Sequence, residues 1–365
     1  MSEKKPVITL SDLMSPAALE LLSAKGSDLV RQIGLEVVRG VVLDVLTGRN
    51  LRDSTEVLTR RRIATLNLAT VNLFLQGAAR IKSFVEQLPH LATDSLERKR
   101  LTKAEKWLAQ WVLGLTDKAF QNVLRDNPNL LADYRERYIQ TCREVIAAHT
   151  QVHGELSGRL QISSGAQAEV NWLMLTYLLN TVGAQTLAIR GSEKSAYGKL
   201  FEKLILGSLL HILGFKYTPP PPQQLDRVFW LSSRGERRES DATLLYGAGK
   251  GVRFDIGFIG RGNPEISLDK VTRFEREISL GRSRWYMATI ILVDRIGADS
   301  RIERLAEEVG GKIIQMSAGF WPQQVAQELH RVLGFKHRLV AMEHDQIESF
   351  LRRELVQVPL AEFIS

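Results

Sequence analysis

The chain has 365 residues and a single cysteine, Cys142. One thiol excludes an intramolecular disulfide and any Cys-x-x-Cys metal pair, and it fits a reducing compartment, so a cytoplasmic protein is expected. Long apolar runs are also missing. The nearest to one, VNWLMLTYLLNTVGAQTLAI from Val170 to Ile189, is interrupted by Asn171, Asn180 and Gln185, which predicts a buried helix rather than a membrane span. The opening MSEKKPVITLSDL has no apolar core, so no signal peptide is expected. There is no Gly-x4-Gly-Lys-Ser/Thr phosphate loop and no His-Glu-x-x-His helix, which argues against nucleotide hydrolysis and zinc proteolysis. His149 and His153 are four apart without an evident third ligand, and His330, His337 and His344 recur across a helix break. Structural or surface roles are expected for all five.

What the chain does have is a surplus of positive charge. Lys and Arg number 49 against 41 Asp and Glu, a formal net charge of +8, which favours acidic partners and nucleic acid first. The 44% hydrophobic content is ordinary for a globular chain of one large or two domains.

The first half reads as successive helices. Arg60 to Leu88 keeps helical spacing until Pro89, which is expected to stop it; Thr102 to Leu115 and Asn129 to about His153 follow. After Gly191 the character changes. Ser195 to Leu213 reads as a helix closed by Gly214, and the Pro-rich stretch Thr218 to Gln224 as an extended loop. Strands are predicted at Val228–Ser232, Ala242–Tyr246, Val252–Ile259, Met287–Val293 and 312–316. Asn263-Pro264-Glu265 is a helix start, predicting a helix to about residue 280 with Val271, Phe274 and Ile278 on one face. Helices over 298–309 and 322–333 complete an α/β layer. The expected organisation is a helical region, 1–190, followed by an α/β region, 191–365.

The stretch SDATLLYGAGKGVRFDIGF, Ser240 to Phe258, holds the candidate chemistry. It reads as a hairpin whose turn around Ala248 sets Asp241 opposite Asp255. Such cross-strand neighbours have Cβ atoms about 5 Å apart. Carboxylates that close repel and raise each other's pKa unless a cation lies between them. Oxygen donors without cysteine or clustered histidine point to Mg²⁺ rather than zinc. Strand alternation puts Arg253, Asp255 and Gly257 on one face, opposite Phe254 and Ile256. Glu202, in the helix before the sheet, and Lys270, early in the helix after it, complete a set able to cleave phosphodiesters. The metal would be held by Asp241, Asp255 and Glu202, and Lys270 would orient the attacking water and offset phosphate charge.

At these residues the chain resembles the PD-(D/E)XK nuclease superfamily, and within it type II restriction endonucleases. The resemblance implies a restriction-endonuclease-like α/β core, a mixed sheet flanked by helices, joined to an all-helical N-terminal region. It makes Glu202 the helix acid, Asp241 the first strand acid and Asp255 the second. Ser240 stands where the motif has proline, and Gly257 where it has lysine, which leaves Lys270 as the displaced cation. AYGKLFEKLILGS together with the two-aspartate hairpin looks like restriction enzymes of the CfrBI type, implying a CCWWGG target. The function implied is Mg²⁺-dependent, sequence-specific cleavage of double-stranded DNA by a homodimer, with a cognate DNA methyltransferase as functional partner. Two alternatives remain: a repair or recombination nuclease, and a non-cleaving DNA-binding module. A rival site pairs Asp255 with Glu275 and Glu277, but on a helix these two glutamates point about 200° apart.

Overall fold

The computed structural model describes residues 8–24, 27–123, 130–219, 226–232, 240–247, 249–258, 286–294 and 311–364. Lys270, Glu275 and Glu277, the helices expected over 264–280 and 298–309, the turn at Ala248 and most of the Pro-rich loop lie outside these residues.

In chain order the helices are α1 (Pro16–Ser23), α2 (Ser27–Ile33), α3 (Leu35–Leu46), α4 (Leu51–Arg80), α5 (Phe84–Leu96), α6 (Lys103–Val112), α7 (Asp117–Val123), α8 (Leu130–His153) and α9 (Trp172–Ile212). Strands β1 (Gly158–Gln161) and β2 (Gln167–Val170) precede α9. After it come β3 (Lys216–Tyr217), β4 (Val228–Leu231), β5 (Ala242–Gly247), β6 (Lys250–Gly257), β7 (Tyr286–Val293), β8 (Gly311–Gln315), α10 (Trp321–Leu333) and α11 (His344–Leu355). The chain forms two units, one of Met1–Lys25 and Leu58–Lys194, the other of Gly26–Val57 and Ser195–Ser365.

The first unit is helical. Leu66, Leu73 and Phe74 of α4, Leu88 and Ala92 of α5, Leu108 and Trp111 of α6, and Met174 and Tyr177 of α9 share one core. The polar residues that interrupt the apolar run of α9 are satisfied there. Gln185 accepts from the Thr70 hydroxyl at 3.0 Å and donates to Asn67 at 2.7 Å, while Asn180 donates to the Tyr138 hydroxyl at 3.2 Å. No helix among the described residues is long and apolar enough to cross a membrane.

Three expectations need correction here. Pro89 does not end a helix. The break falls earlier, at Ser83 (φ 50), and Pro89 sits inside α5. A proline within a helix costs roughly 3 kcal/mol. Burial of Phe84, Leu88 and Ala92, with Phe84 edge-on to Phe74, offsets that locally. Secondly, the two helices expected on either side of Gly191 are one, α9, of 41 residues. Thirdly, the N-terminal region is not wholly helical: β1 and β2 form an antiparallel hairpin in which Gly165 takes the left-handed turn position (φ 95). Its apolar residues are few, so periodicity gave little signal.

The second unit is built on a six-stranded sheet in the order β3-β4-β5-β6-β7-β8. β4, β5 and β6 are antiparallel neighbours, whereas β6, β7 and β8 are parallel. The sheet is therefore mixed and has helices beside it, with α10 packed on β7 and β8. One sheet face is dry: Leu244, Val252, Phe254, Ile256, Ile290, Leu292 and Ile314 are buried. Gly214 closes α9 as expected, its N–H donating to His211 O (2.8 Å) and the next N–H, of Phe215, to Leu210 O (3.1 Å). Within α9, Gly207 is needed for close approach, because a Cβ there would come 2.5 Å from the Phe363 ring. That ring also packs against Tyr217 and Phe229. The early segment joins this unit through α3, where Val45 O accepts from the Trp321 indole at 2.8 Å.

Candidate active site

β5 and β6, the two middle strands, pair with Ala242 opposite Phe254, Thr243 opposite Arg253 and Leu244 opposite Val252. One residue further out, the same register sets Asp241 beside Asp255. Two hydrogen bonds fix the position. The Asp241 N–H donates to Phe254 O, and the Ile256 N–H donates to Asp241 Oδ2, each at 2.9 Å. They bracket Asp255 on both sides. The Asp241 carboxylate has thus replaced a main-chain acceptor, which is why the regular ladder of β5 begins only at Ala242.

Neighbouring hydroxyls hold the same corner. Ser240, buried, meets the Thr243 hydroxyl at 3.0 Å, and its carbonyl accepts from the Ser232 hydroxyl. The Ser232 N–H donates to Asp241 O at 3.1 Å. Asp241 and Asp255 are both half-buried. Asp255 shares its sheet face with Arg253 and Gly257, the alternation expected from the sequence. Arg253 lies in a row between the buried Thr243 and Thr289. Gly257 pairs with Val293, so no cation follows Asp255 on this strand. Beyond them Ile291, Val293 and Ile313 form a small separate apolar cluster.

Glu202 is half-buried on α9, between buried Phe201 and Leu204. Among the described residues no group of three or more His, Cys, Asp or Glu is gathered tightly enough to hold a metal ion. Two carboxylates nevertheless fit Mg²⁺, which is commonly bound through one or two of them together with waters and substrate phosphates. Oδ2 of Asp241 is held by an amide, and its other oxygen takes no hydrogen bond among the described residues.

A third acid at this end of the sheet escaped the sequence reading. Asp294 directly follows β7, and its Oδ2 accepts from Asn50 Nδ2 at 2.5 Å. An aspartate ending the apolar run Ile-Ile-Leu-Val was the available signal; Asn50 gave none. The rings of His149 and His153 lie 4.3 Å apart, with Trp172 edge-on to His149. Cys142 is buried, and burial pushes its thiol up, away from reactivity.

A mixed sheet flanked by helices, with Asp241 and Asp255 adjacent at its middle, is compatible with a restriction-endonuclease-like fold. The particular family follows from comparison. The chain belongs to the CfrBI restriction endonuclease family, whose model matches residues 35–301. It is 39% identical over 323 residues to the type II restriction enzyme CfrBI of Citrobacter freundii, covering 87% of this chain and 88% of that one. No solved structure matches the chain. It is a type II restriction endonuclease, a site-specific deoxyribonuclease whose substrate is double-stranded DNA. That removes the repair nuclease and the non-cleaving module.

Proposed function

We propose that Asp241 and Asp255 are the paired metal carboxylates of this endonuclease and that Mg²⁺ is the ion they hold. The observation that carries this reading is the double hydrogen bond by which Asp241 brackets Asp255. When bound, the ion would supply Lewis acidity toward the scissile phosphate and lower the pKa of attacking water. The protein's own part is to keep two mutually repelling carboxylates adjacent, at an energetic cost that a cation relieves. Ile256 holds one of them and the dry sheet face fixes the strand beneath.

Glu202 completes the proposed acid set from α9. Its carboxylate is the proposed third oxygen ligand of the ion. Lys270 is the proposed cation, filling the function that Gly257 cannot. The rival pairing of Asp255 with Glu275 and Glu277 needs those residues on a strand, whereas the Asn263-Pro264-Glu265 start favours a helix.

The target CCWWGG, implied by the CfrBI-type resemblance, is proposed for this chain. It is nearly palindromic, so cutting both strands calls for two active sites, and a symmetric homodimer follows. The helical unit contributes DNA contact or dimerisation, while the sheet unit, which takes in Gly26–Val57 as well as Ser195–Ser365, carries the chemistry. A cognate methyltransferase would protect the host's own sites, and a cytoplasmic location places the enzyme where foreign DNA arrives. The test is digestion of two plasmids, one with mapped CCWWGG sites and one with none. Discrete fragments from the first alone support the target. Discrete fragments from both would keep the activity and reject that sequence.

A further inference from the structure

The connection from α5 to α6 concentrates positive charge on a fixed turn of the helical unit. Arg98, Lys99 and Arg100 follow one another between Glu97, the C-cap of α5, and Thr102, the N-cap of α6, and all three are exposed. The turn is not a loose tail. Thr102 and Glu105 form a reciprocal capping box, with the Glu105 N–H donating to Thr102 Oγ1 (3.2 Å) and the Thr102 N–H to Glu105 Oε2 (2.8 Å). The Ser11 hydroxyl donates to the other Glu105 oxygen at 3.3 Å, and the Arg98 N–H to Ser95 O at 3.3 Å.

Two ionised carboxylates, Glu105 and Asp12, lie near the turn and offset part of this charge, chiefly that of Arg98. Glu105 is engaged as above, and Asp12 Oδ2 accepts from both the N–H and the hydroxyl of Thr9, each at 2.8 Å. Their carboxyls are held below the usual range, first by those hydrogen bonds, to Thr102 and Thr9 respectively, and further by Arg98. Arg80 also lowers Asp12, and its guanidinium donates to Asp12 O at 2.9 Å, so another cation reaches the same place.

We propose that this turn is a phosphate clamp for duplex DNA: Arg98, Lys99 and Arg100 grip the backbone and hold it whatever its sequence. The substrate is a polyanion, and three adjacent cations on an ordered turn meet it at little conformational cost. Such contacts position the duplex and carry no base information, so affinity depends on them while discrimination does not. The inference rests on the enzyme's class and not on the metal site, since binding is read without divalent ions.

The experiment measures duplex binding by the full chain in EDTA across a salt series. Arg98→Ala/Lys99→Ala/Arg100→Ala should lower the slope of log K against log salt by about 2 to 3, at about 0.9 per phosphate contact. Duplexes with and without the cleavage site should weaken by the same factor, while melting temperature stays unchanged. Arg137→Ala/Arg143→Ala, two exposed cations on α8, should leave the slope almost unaltered. If the triple variant misfolds, Lys99→Ala/Arg100→Ala serves instead, with a slope loss of about 2. An unchanged slope overturns the proposal, as does an equal loss in the α8 control, which would report net charge alone. A changed oligomeric state with an unchanged slope would make the turn a protein contact instead.

Discussion

A carboxylate in the middle strands of a sheet must be compensated, and Asp241 and Asp255 divide that task unequally. Asp241 has a structural duty, accepting from the Ile256 N–H. Losing such an acceptor leaves a part-buried donor unsatisfied and costs about 1–3 kcal/mol. Asp241→Ala should therefore lower stability in denaturant titration, whereas Asp241→Asn, which keeps an amide oxygen, should unfold close to wild type. Both should fail to cleave, because neither is a charged metal ligand. Asp255→Ala should abolish cleavage with DNA binding intact, since metal activation is worth several kcal/mol of barrier. Lys270→Ala should slow single-turnover cleavage by at least about a hundredfold, the scale of a positioned catalytic group. Gly257→Lys in that background should restore part of the rate. Wild-type cleavage by Lys270→Ala would instead turn attention to Arg253, on the same face as Asp255.

Elements differ in how openly the sequence announces them, and the reason is physical. α6 was legible because its apolar residues keep helical spacing, a local signal. β5 and β6 were legible because alternation and register are set by adjacent residues, so Asp241 could be matched to Asp255 across a short turn. The helix break at Ser83 was not legible, because Pro89 carries the stronger local signal and only tertiary burial of Phe84 and Leu88 overrides it. Asn50 and Asp294 meet across most of the chain, and no local pattern links them. Two predictions belong to this scale. Gly207→Ala would force a methyl against the Phe363 ring, an overpacking that costs about 1–3 kcal/mol and should shift the denaturant midpoint. The Glu105 carboxyl, depressed chiefly by Thr102, binds its proton less readily folded than unfolded. Its stabilising contribution is complete above the unfolded value and fades as pH falls through the folded one. Thr102→Ala should therefore lose about 1 kcal/mol near neutrality and less in acid, read as melting temperature against pH.

At the scale of the whole molecule, the two units are proposed to divide the work between them. The sheet unit is proposed to cut, and the helical unit to grip DNA or pair protomers. A homodimer should appear by light scattering at micromolar protein, and monomers at that concentration would contradict the two-site account of double-strand cutting. The central claim, that the Asp241–Asp255 pair makes a metal-dependent cut at defined sites, is tested most directly by digesting one mapped plasmid with purified protein. Wild type with Mg²⁺ should give discrete linear fragments, and wild type in EDTA or Asp255→Ala with Mg²⁺ should give none. Discrete fragments from Asp255→Ala, or cutting in EDTA, would contradict it.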